Sequence, residues 1–387
     1  MMPGTGNYFL EGSVPMDENI KVDSGENTVS SKAPVSSDDE ALELVRVAVD
    51  AMGGDNAPDE IVRGALDAVK GDGRLKVWLV GCEESIRPVL EKYGEYPEDR
   101  VVVYPASEVI EMAEPPVNAI RNKKDSSIVK GMMLVKNGVC DAFVTAGSSG
   151  ATLAGGQLLV GRIKGIERPA FAPLMPTAKG PVLLIDCGAN VDPKPSQLVQ
   201  FAQMGSIYME NVIGIRNPRV ALLNIGTEEE KGNALTKETY PLLKACDNIH
   251  FTGNIEARSI PEGEADVIVC DAFAGNMVLK MYEGVASTLL HEIKTALMSD
   301  LRSKLGALLI KPALKTTLKK FDASAYGGAP VLGLTGLVVK AHGSAKAIEL
   351  KHAVEQCAAF KEQKINELFK DRMKLVDHTK KHGNQEV

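Results

Sequence analysis

From Val45 onward, short runs of Val, Ile and Leu alternate with stretches of helical spacing, and this alternation sets the limits on the fold. The runs lie at 45–49, 76–80, 101–104, 141–145, 182–185, 219–223, 266–270 and 336–340. Helical spacing occupies 58–70, 83–93, 125–137, 150–160, 195–211, 234–244, 275–299 and 344–374. Runs that are apolar on both faces suit strands buried between two helix layers. Strand–helix alternation without tandem hairpins predicts an α/β protein, a three-layer α/β/α sandwich on a mostly parallel sheet. No repeat of 20–50 residues is evident. Residues 45–387 read as one large unit with a lobe boundary that the pattern does not place.

Charge separates the first 44 residues from the rest. They hold nine acids and two bases, whereas the remainder carries 42 of each. Their Ser, Asp, Glu, Asn and Gly content cannot bury enough apolar surface to offset ordering entropy, so 1–44 is predicted to be a disordered acidic extension. The electrically balanced body has no global charge to collect nucleic acid. No apolar run reaches 18 residues, and no basic segment followed by an apolar one opens the chain, so neither a membrane span nor a secretory signal is expected. The six Cys are far apart and form no CxxC, and the six His form no HExxH. A disulfide framework or zinc site is therefore not expected, and Cys140, Cys187 and Cys270 read as small buried hydrophobes in a reducing compartment.

In parallel α/β sheets, ligands bind beyond the carboxyl ends of the strands. The first strand ends in Asp50-Ala51-Met52-Gly53-Gly54-Asp55-Asn56, where paired Gly let the backbone approach a ligand. The 141–145 strand runs into Gly147-Ser148-Ser149-Gly150 at a helix start, where amides and the helix dipole favour an anion. This is neither GxGxxG nor a P-loop. Arg121, Lys123, Lys124 and Lys130 form a basic stretch, read either as a solvated face or as a contact for phosphate or an acidic carrier. Further polar loops hold Asn190, Asn254, Asp271 with Asn276, and Lys340 with His342. A turn accounts for any one of these. Together they predict a polar floor along one sheet edge. No GxSxG elbow or Ser-His-Asp order is present, which disfavours a covalent serine hydrolase.

Seven strings, in order, then carry a resemblance: AVDAMGGDNAP (48–58), ASEVIEMAEPPVNAIRNKKDSS (106–127), LLIDCGANVDPKPSQLVQFAQMG (183–205), RVALLNIGTEEEKGN (219–233), FTGNIEARSI (251–260), CDAFAGNMVLKMYEG (270–284) and YGGAPVLGLTGLVVKAHGS (326–344). The chain resembles the phosphate acyltransferase family of bacterial phospholipid synthesis over about 45–360. Ser148-Ser149 stand where that family usually has Asn-Thr, and Ala257, Ser259, Ala272 and Ala274 also depart from its pattern.

The resemblance implies a fold related to phosphate acetyltransferases and to isocitrate and isopropylmalate dehydrogenases. It implies transfer of a fatty acyl group from acyl carrier protein to inorganic phosphate, with no cofactor and no metal. A membrane-bound glycerol-3-phosphate acyltransferase would accept the product, and a cytoplasmic homodimer is expected. The competing activity is a short-chain transferase using coenzyme A thioesters. Within this frame, the amides of 147–151 with Lys123 or Lys124 are assigned to phosphate, together with the loop of Asp50, Gly53, Gly54 and Asp55, and with Asn190 and Asn254. Lys340 and His342 are assigned to the developing oxyanion or the leaving sulfur, oriented by Asp271 and Asn276.

Segment 291–320 adds a surface feature. It holds seven bases and two acids, with Leu301, Leu305, Leu308, Leu309 and Ile310 among them. A helical hairpin at about 285–322, bent where Gly306 and Pro312 interrupt the helix, with Leu and Ile at the apex of the tip and Lys around its base, suits reversible contact with an anionic membrane, or a dimer interface.

Overall fold

The computed structural model describes residues 44–321 and 326–373, which fall in one compact unit. The acidic extension predicted for 1–44 therefore lies, Leu44 apart, outside the described residues.

All eight predicted apolar runs form strands. They are β1 (Val45–Asp50), β2 (Leu75–Gly81), β3 (Val101–Pro105), β4 (Ala142–Thr145), β7 (Gly180–Ile185), β8 (Arg219–Asn224), β10 (Val267–Val269) and β12 (Leu337–Lys340). Four more strands join them: β5 (Ala170–Phe171), β6 (Leu174–Thr177), β9 (His250–Glu256) and β11 (Ala329–Leu332). The single sheet of the sequence reading is two sheets. One has the order β3-β2-β1-β4-β12-β11-β5 and the other β6-β7-β10-β8-β9. Both are mostly parallel, with antiparallel pairing confined to β11 and to β6.

The division falls at Ala172–Pro173. Strand β5, before it, pairs with β11 in the first sheet, while β6, after it, pairs with β7 in the second. Ala172 donates to Pro330 in the first sheet, and the Pro173 carbonyl accepts from Leu184 in the second. The chain returns to the first sheet only at β11.

Helices cover both faces. They are α1 (Asp59–Gly71), α2 (Glu83–Tyr93), α3 (Pro116–Asn122), α4 (Ser127–Lys136), α5 (Ser149–Gly155), α6 (Pro195–Tyr208), α7 (Ala234–Lys244), α8 (Ala272–Leu297), α9 (Leu301–Lys319), α10 (Ala347–Glu362) and α11 (Ile365–Arg372). Alternate residues of each strand point to opposite layers. Val47 and Val49 of β1 join a core that runs on through Ile185, Leu222 and Val269 of the second sheet. Ala48 faces a second core with Phe143 and Val338. A third lies between the second sheet and the first turns of α8, where Val278, Leu279 and Tyr282 pack. Gly64 sets how closely α1 and α10 approach, because a Cβ there would meet the Ala347 carbonyl oxygen at 2.4 Å.

The hairpin of α8 and α9 differs from its predicted form. Helix α9 is continuous through Gly306 and Pro312, and the turn lies instead at Met298–Asp300. The Asp300 carboxylate accepts from the amides of Arg302 and Ser303 and so starts α9 there. Pro312 removes only one backbone donor, which the remaining turns of the helix tolerate at a cost of about 3 kcal/mol.

Candidate active site

Strands β1, β4 and β12 are neighbours at the middle of the first sheet, and their carboxyl ends bring together three polar side chains. Val49 aligns with Val144, and Thr145 with Lys340, so Asp50, Thr145 and Lys340 end three adjacent strands in register. All three are buried. Thr145 Oγ1 donates its single proton to Asp50 Oδ2 at 2.6 Å and accepts from the Gly147 amide at 2.9 Å. The Met52 amide donates to Asp50 Oδ1, and Ser127 hydrogen-bonds the same carboxylate. Burial raises the Asp50 pKa against these hydrogen bonds and the nearby Lys340 charge.

Lys340 Nζ donates to the carbonyls of Ala146 and Ala341. Burial pushes its ammonium down to about 8, while Asp50 and Asp55 oppose the shift and Lys280 adds to it. A buried lysine, 9% exposed beside strand-end loops and with its pKa lowered by burial, is a candidate for chemistry.

The loops over this row are tied together by backbone. The Asp55 amide donates to Gly343 O at 2.8 Å, and Asn56 Nδ2 donates to the carbonyls of Ser344 and Ala345. At Gly53, a Cβ would lie 2.3 Å from Asp50 Oδ2 and 2.7 Å from the Gly147 amide nitrogen. Gly54 has φ +96°. Gly53 is thus needed for close packing around Asp50, and Gly54 for its positive φ and for close approach to Ala146 and the Gly343 carbonyl. His342 is exposed on the same loop, with Nδ1 2.8 Å from Ser344 Oγ.

Beside this row, α5 begins at Ser149. The buried Ser148 caps it, its Oγ accepting from the Ala151 amide, while Ser149 is exposed. The Gly147 amide is spent on Thr145 and that of Ala151 on the cap, so Ser148, Ser149 and Gly150 supply the remaining amides of this stretch. Gly150 lies against Pro116 of α3. Lys123 is held by Glu114 Oε1 at 2.6 Å and by the Val109 carbonyl, and Lys124 is exposed with Nζ on the Ile120 carbonyl.

The second sheet contributes its own edge. Asp186, at the end of β7, accepts from the amides of Phe171, Gly188, Ala189 and Asn190 and from Asn190 Nδ2. Burial raises its pKa, and these donors oppose the rise. Asn190 also receives the Ala272 amide on its carbonyl, which fixes the start of α8. Asp271 caps α8 through the Ala274 amide at 2.8 Å. Asn276 is exposed on the first turns, and Lys280, one turn on, lies near enough for its charge to act on Lys340. Asn254 lies on β9, the outer strand of this sheet, with Nδ2 on the Glu228 carbonyl.

The structure therefore gathers Asp50, Gly53, Gly54, Asp55, Gly147, Lys340 and His342 around one strand edge, with Ser148, Ser149 and Gly150 beside it. Asp271 and Asn276 lie at the start of α8, the helix whose Lys280 charge acts on Lys340. Lys123 is engaged by Glu114, and Asn254 sits on an outer strand. Thr145, Ser127 and Lys280 were not singled out by sequence, and Asp186 was read only as the start of the Asn190 loop. A polar residue that closes an apolar run is the signal for Thr145 and, one place on, for Asp186.

The family described as "Fatty acid synthesis protein" matches residues 45–368. A phosphate acyltransferase of Clostridium botulinum (strain Alaska E43 / Type E3) is 52% identical over 322 residues, covering 83% of this chain and 96% of that one. The chain belongs to the phosphate acyltransferase family. A phosphate acyltransferase of Clostridium acetobutylicum is 48% identical, covering 82% of this chain and 96% of that one. Among solved structures, phosphotransacetylases from Staphylococcus aureus and Streptococcus pyogenes share the fold, with TM-scores of 0.53 and 0.52. Their identities are 16% and 19%, and each match covers 82% of this chain and 94% of the other. The α/β architecture of two mostly parallel sheets is thus one that phosphotransacetylases adopt.

Proposed function

We propose that this phosphate acyltransferase moves a long-chain fatty acyl group from acyl carrier protein to inorganic phosphate, giving an acyl-phosphate for phosphatidic acid synthesis. The carrying observation is Lys340, a buried cation at the centre of a floor of backbone amides and carbonyls. Phosphate is an oxygen nucleophile without activation by a side chain. Its oxygen bonds to the thioester carbon, the carbon–sulfur bond breaks, and the sulfur takes the electron pair and the proton that phosphate releases. The protein has to supply position and charge. Lys340 and His342 supply charge and a donor for the oxyanion. The amides of 148–150 face the phosphate.

The thiols near the site support direct transfer. Burial raises the pKa of both Cys187 and Cys270 well above the ordinary thiol range, so neither is poised as an acyl-accepting thiolate. A comparison of carrier-linked and coenzyme A-linked acyl donors tests the substrate. Faster turnover of the coenzyme A thioester at every chain length would favour the short-chain reading.

No described helix is long and apolar enough to cross a membrane. The product is amphipathic and its acceptor, a glycerol-3-phosphate acyltransferase, is membrane-bound in this reading, so the protein acts at the inner face of the cell membrane. The support is α9, where Leu301, Leu305, Leu308 and Leu309 are 62–85% exposed among Lys304, Lys311 and Lys315. Each such base contributes roughly 1 kcal/mol near anionic lipid. Low-salt pelleting with anionic vesicles and release at high salt are the expected results. Leu308→Glu with Leu309→Glu abolishes pelleting and leaves turnover of soluble substrate intact. If the double variant still pellets, α9 is not the anchor. If light scattering shows instead that a homodimer is lost, these leucines belong to the subunit interface.

A further inference from the structure

The loop after β12 fixes which nitrogen of His342 carries a proton. Two groups of Ser344 meet His342 Nδ1, the hydroxyl at 2.8 Å and the backbone amide at 3.3 Å. A backbone amide only donates, so Nδ1 must be an acceptor and cannot hold a proton of its own. The hydroxyl, which is free to rotate, then donates to the same lone pair. The proton of the neutral ring is then on Nε2, and His342 is exposed, so that N–H is open to substrate.

We infer that Ser344 is a positioning residue, which holds His342 as the neutral Nε2–H tautomer and so makes it a hydrogen-bond donor to the thioester oxygen. This rests on the proposed acyl transfer. The role differs from that of a proton shuttle. A neutral imidazole that gave up its Nε2 proton would become an anion, whereas as a hydrogen-bond donor it stabilises the oxyanion without losing the proton. The proton that reaches the leaving sulfur then comes from phosphate, and the proton count closes without His342. Lys340, on the strand before this loop, supplies the charge that a neutral ring lacks. Loop geometry is already fixed by other means. Asn56 Nδ2 donates to the Ser344 carbonyl and the Asp55 amide to the Gly343 carbonyl, and neither bond involves the Ser344 hydroxyl.

The test uses the full chain labelled with [15N]histidine, with the His342 resonances identified by their loss in His342→Gln. Spectra are recorded above the usual imidazole titration range. The expected wild-type spectrum shows Nδ1 unprotonated and Nε2 protonated. Ser344→Ala loses the 2.8 Å hydroxyl and leaves only the longer amide contact on Nδ1, so it is expected to loosen the ring, let some Nδ1–H form appear and lower kcat about tenfold, with KM for phosphate little changed. Ser344→Thr, which keeps the hydroxyl, restores both. A wild-type ring with its proton on Nδ1 overturns the inference. So does wild-type kcat in Ser344→Ala when His342→Ala is impaired. Wild-type kcat in His342→Ala, which has no side-chain donor, removes His342 from the reaction and the inference with it. Absence of acyl-phosphate formation by the wild type would instead overturn the proposed function.

Discussion

Lys340→Met is expected to lower turnover roughly 100-fold or more, the scale set by losing one preorganised charge at an oxyanion, and at the same time to make the protein more stable. The two effects share a cause. Burial pushes the Lys340 pKa from the ordinary 10.5 down to about 8. At neutral pH the ammonium is charged in both folded and unfolded chains, and the displaced pKa corresponds to about 3 kcal/mol held against the folded state. Met fills a similar volume without the charge. Asp50 loses a neighbouring cation and the Ala146 and Ala341 carbonyls lose a donor in the exchange, which offsets most of this, so a net gain of about 1 kcal/mol is expected. The pH dependence gives the sign. Between about 8 and 10.5 the unfolded chain binds the proton that the folded chain has released, so wild-type stability rises with pH across that window. The advantage of the variant is full below 8 and fades towards 10.5. Denaturant titrations of both proteins across this range measure it. A variant less stable than wild type at pH 7 would contradict the strained state assigned to Lys340.

Gly275→Ala is expected to be the most damaging single methyl group around the second sheet. A Cβ there would lie 2.0 Å from the Asp186 carbonyl oxygen and 2.8 Å from Cys270 Sγ. The oxygen is backbone, and the Asp186 side chain that follows is pinned by five donors, so the clash cannot be relieved by a rotamer. Helix α8 has to move instead, and with it Asp271, Asn276 and Lys280. Overpacking of this kind costs about 3 kcal/mol, and turnover should fall with it. Gly284 provides the control on the same helix, since a Cβ there meets nothing within 4 Å. Gly284→Ala is expected to be neutral or stabilising by up to about 1 kcal/mol, as helix propensity alone dictates. Equal melting temperatures for the two alanine variants would show that the α8 start is not packed as described.

Much of the architecture is written in the apolar runs. Strands such as β1 and β7 are buried on both faces, so their runs of Val, Leu and Ile stand out in any window. The strands without such a signal are those with little to bury. Strand β5 has two residues, and β6 and β11 each contain a proline. Strand β9 is an outer strand with exposed His250 and a bulge next to Gly253, at φ +103°. The division into two sheets was likewise illegible, because it rests on which partners β5 and β6 choose across Ala172–Pro173. At the site, glycine pairs and strand-end polar residues pointed to Asp50, Gly53 and Lys340. Spacing does not show that Glu114 reaches Lys123, nor that Thr145, closing an apolar run, orders both Asp50 and the Gly147 amide. The hairpin turn was misplaced for a similar reason. Gly306 and Pro312 carry the familiar breaking signals, but the Asp300 cap sets where α9 starts.

Direct transfer to phosphate is tested most plainly by giving the purified full chain a long-chain acyl carrier protein thioester and inorganic phosphate, then following phosphorus NMR and free thiol together. The expected result is an acyl-phosphate signal growing in step with released carrier thiol, with no acyl group left on the protein. Thiol release without acyl-phosphate at any chain length, or an acyl group recovered on Cys187 or Cys270, would contradict it.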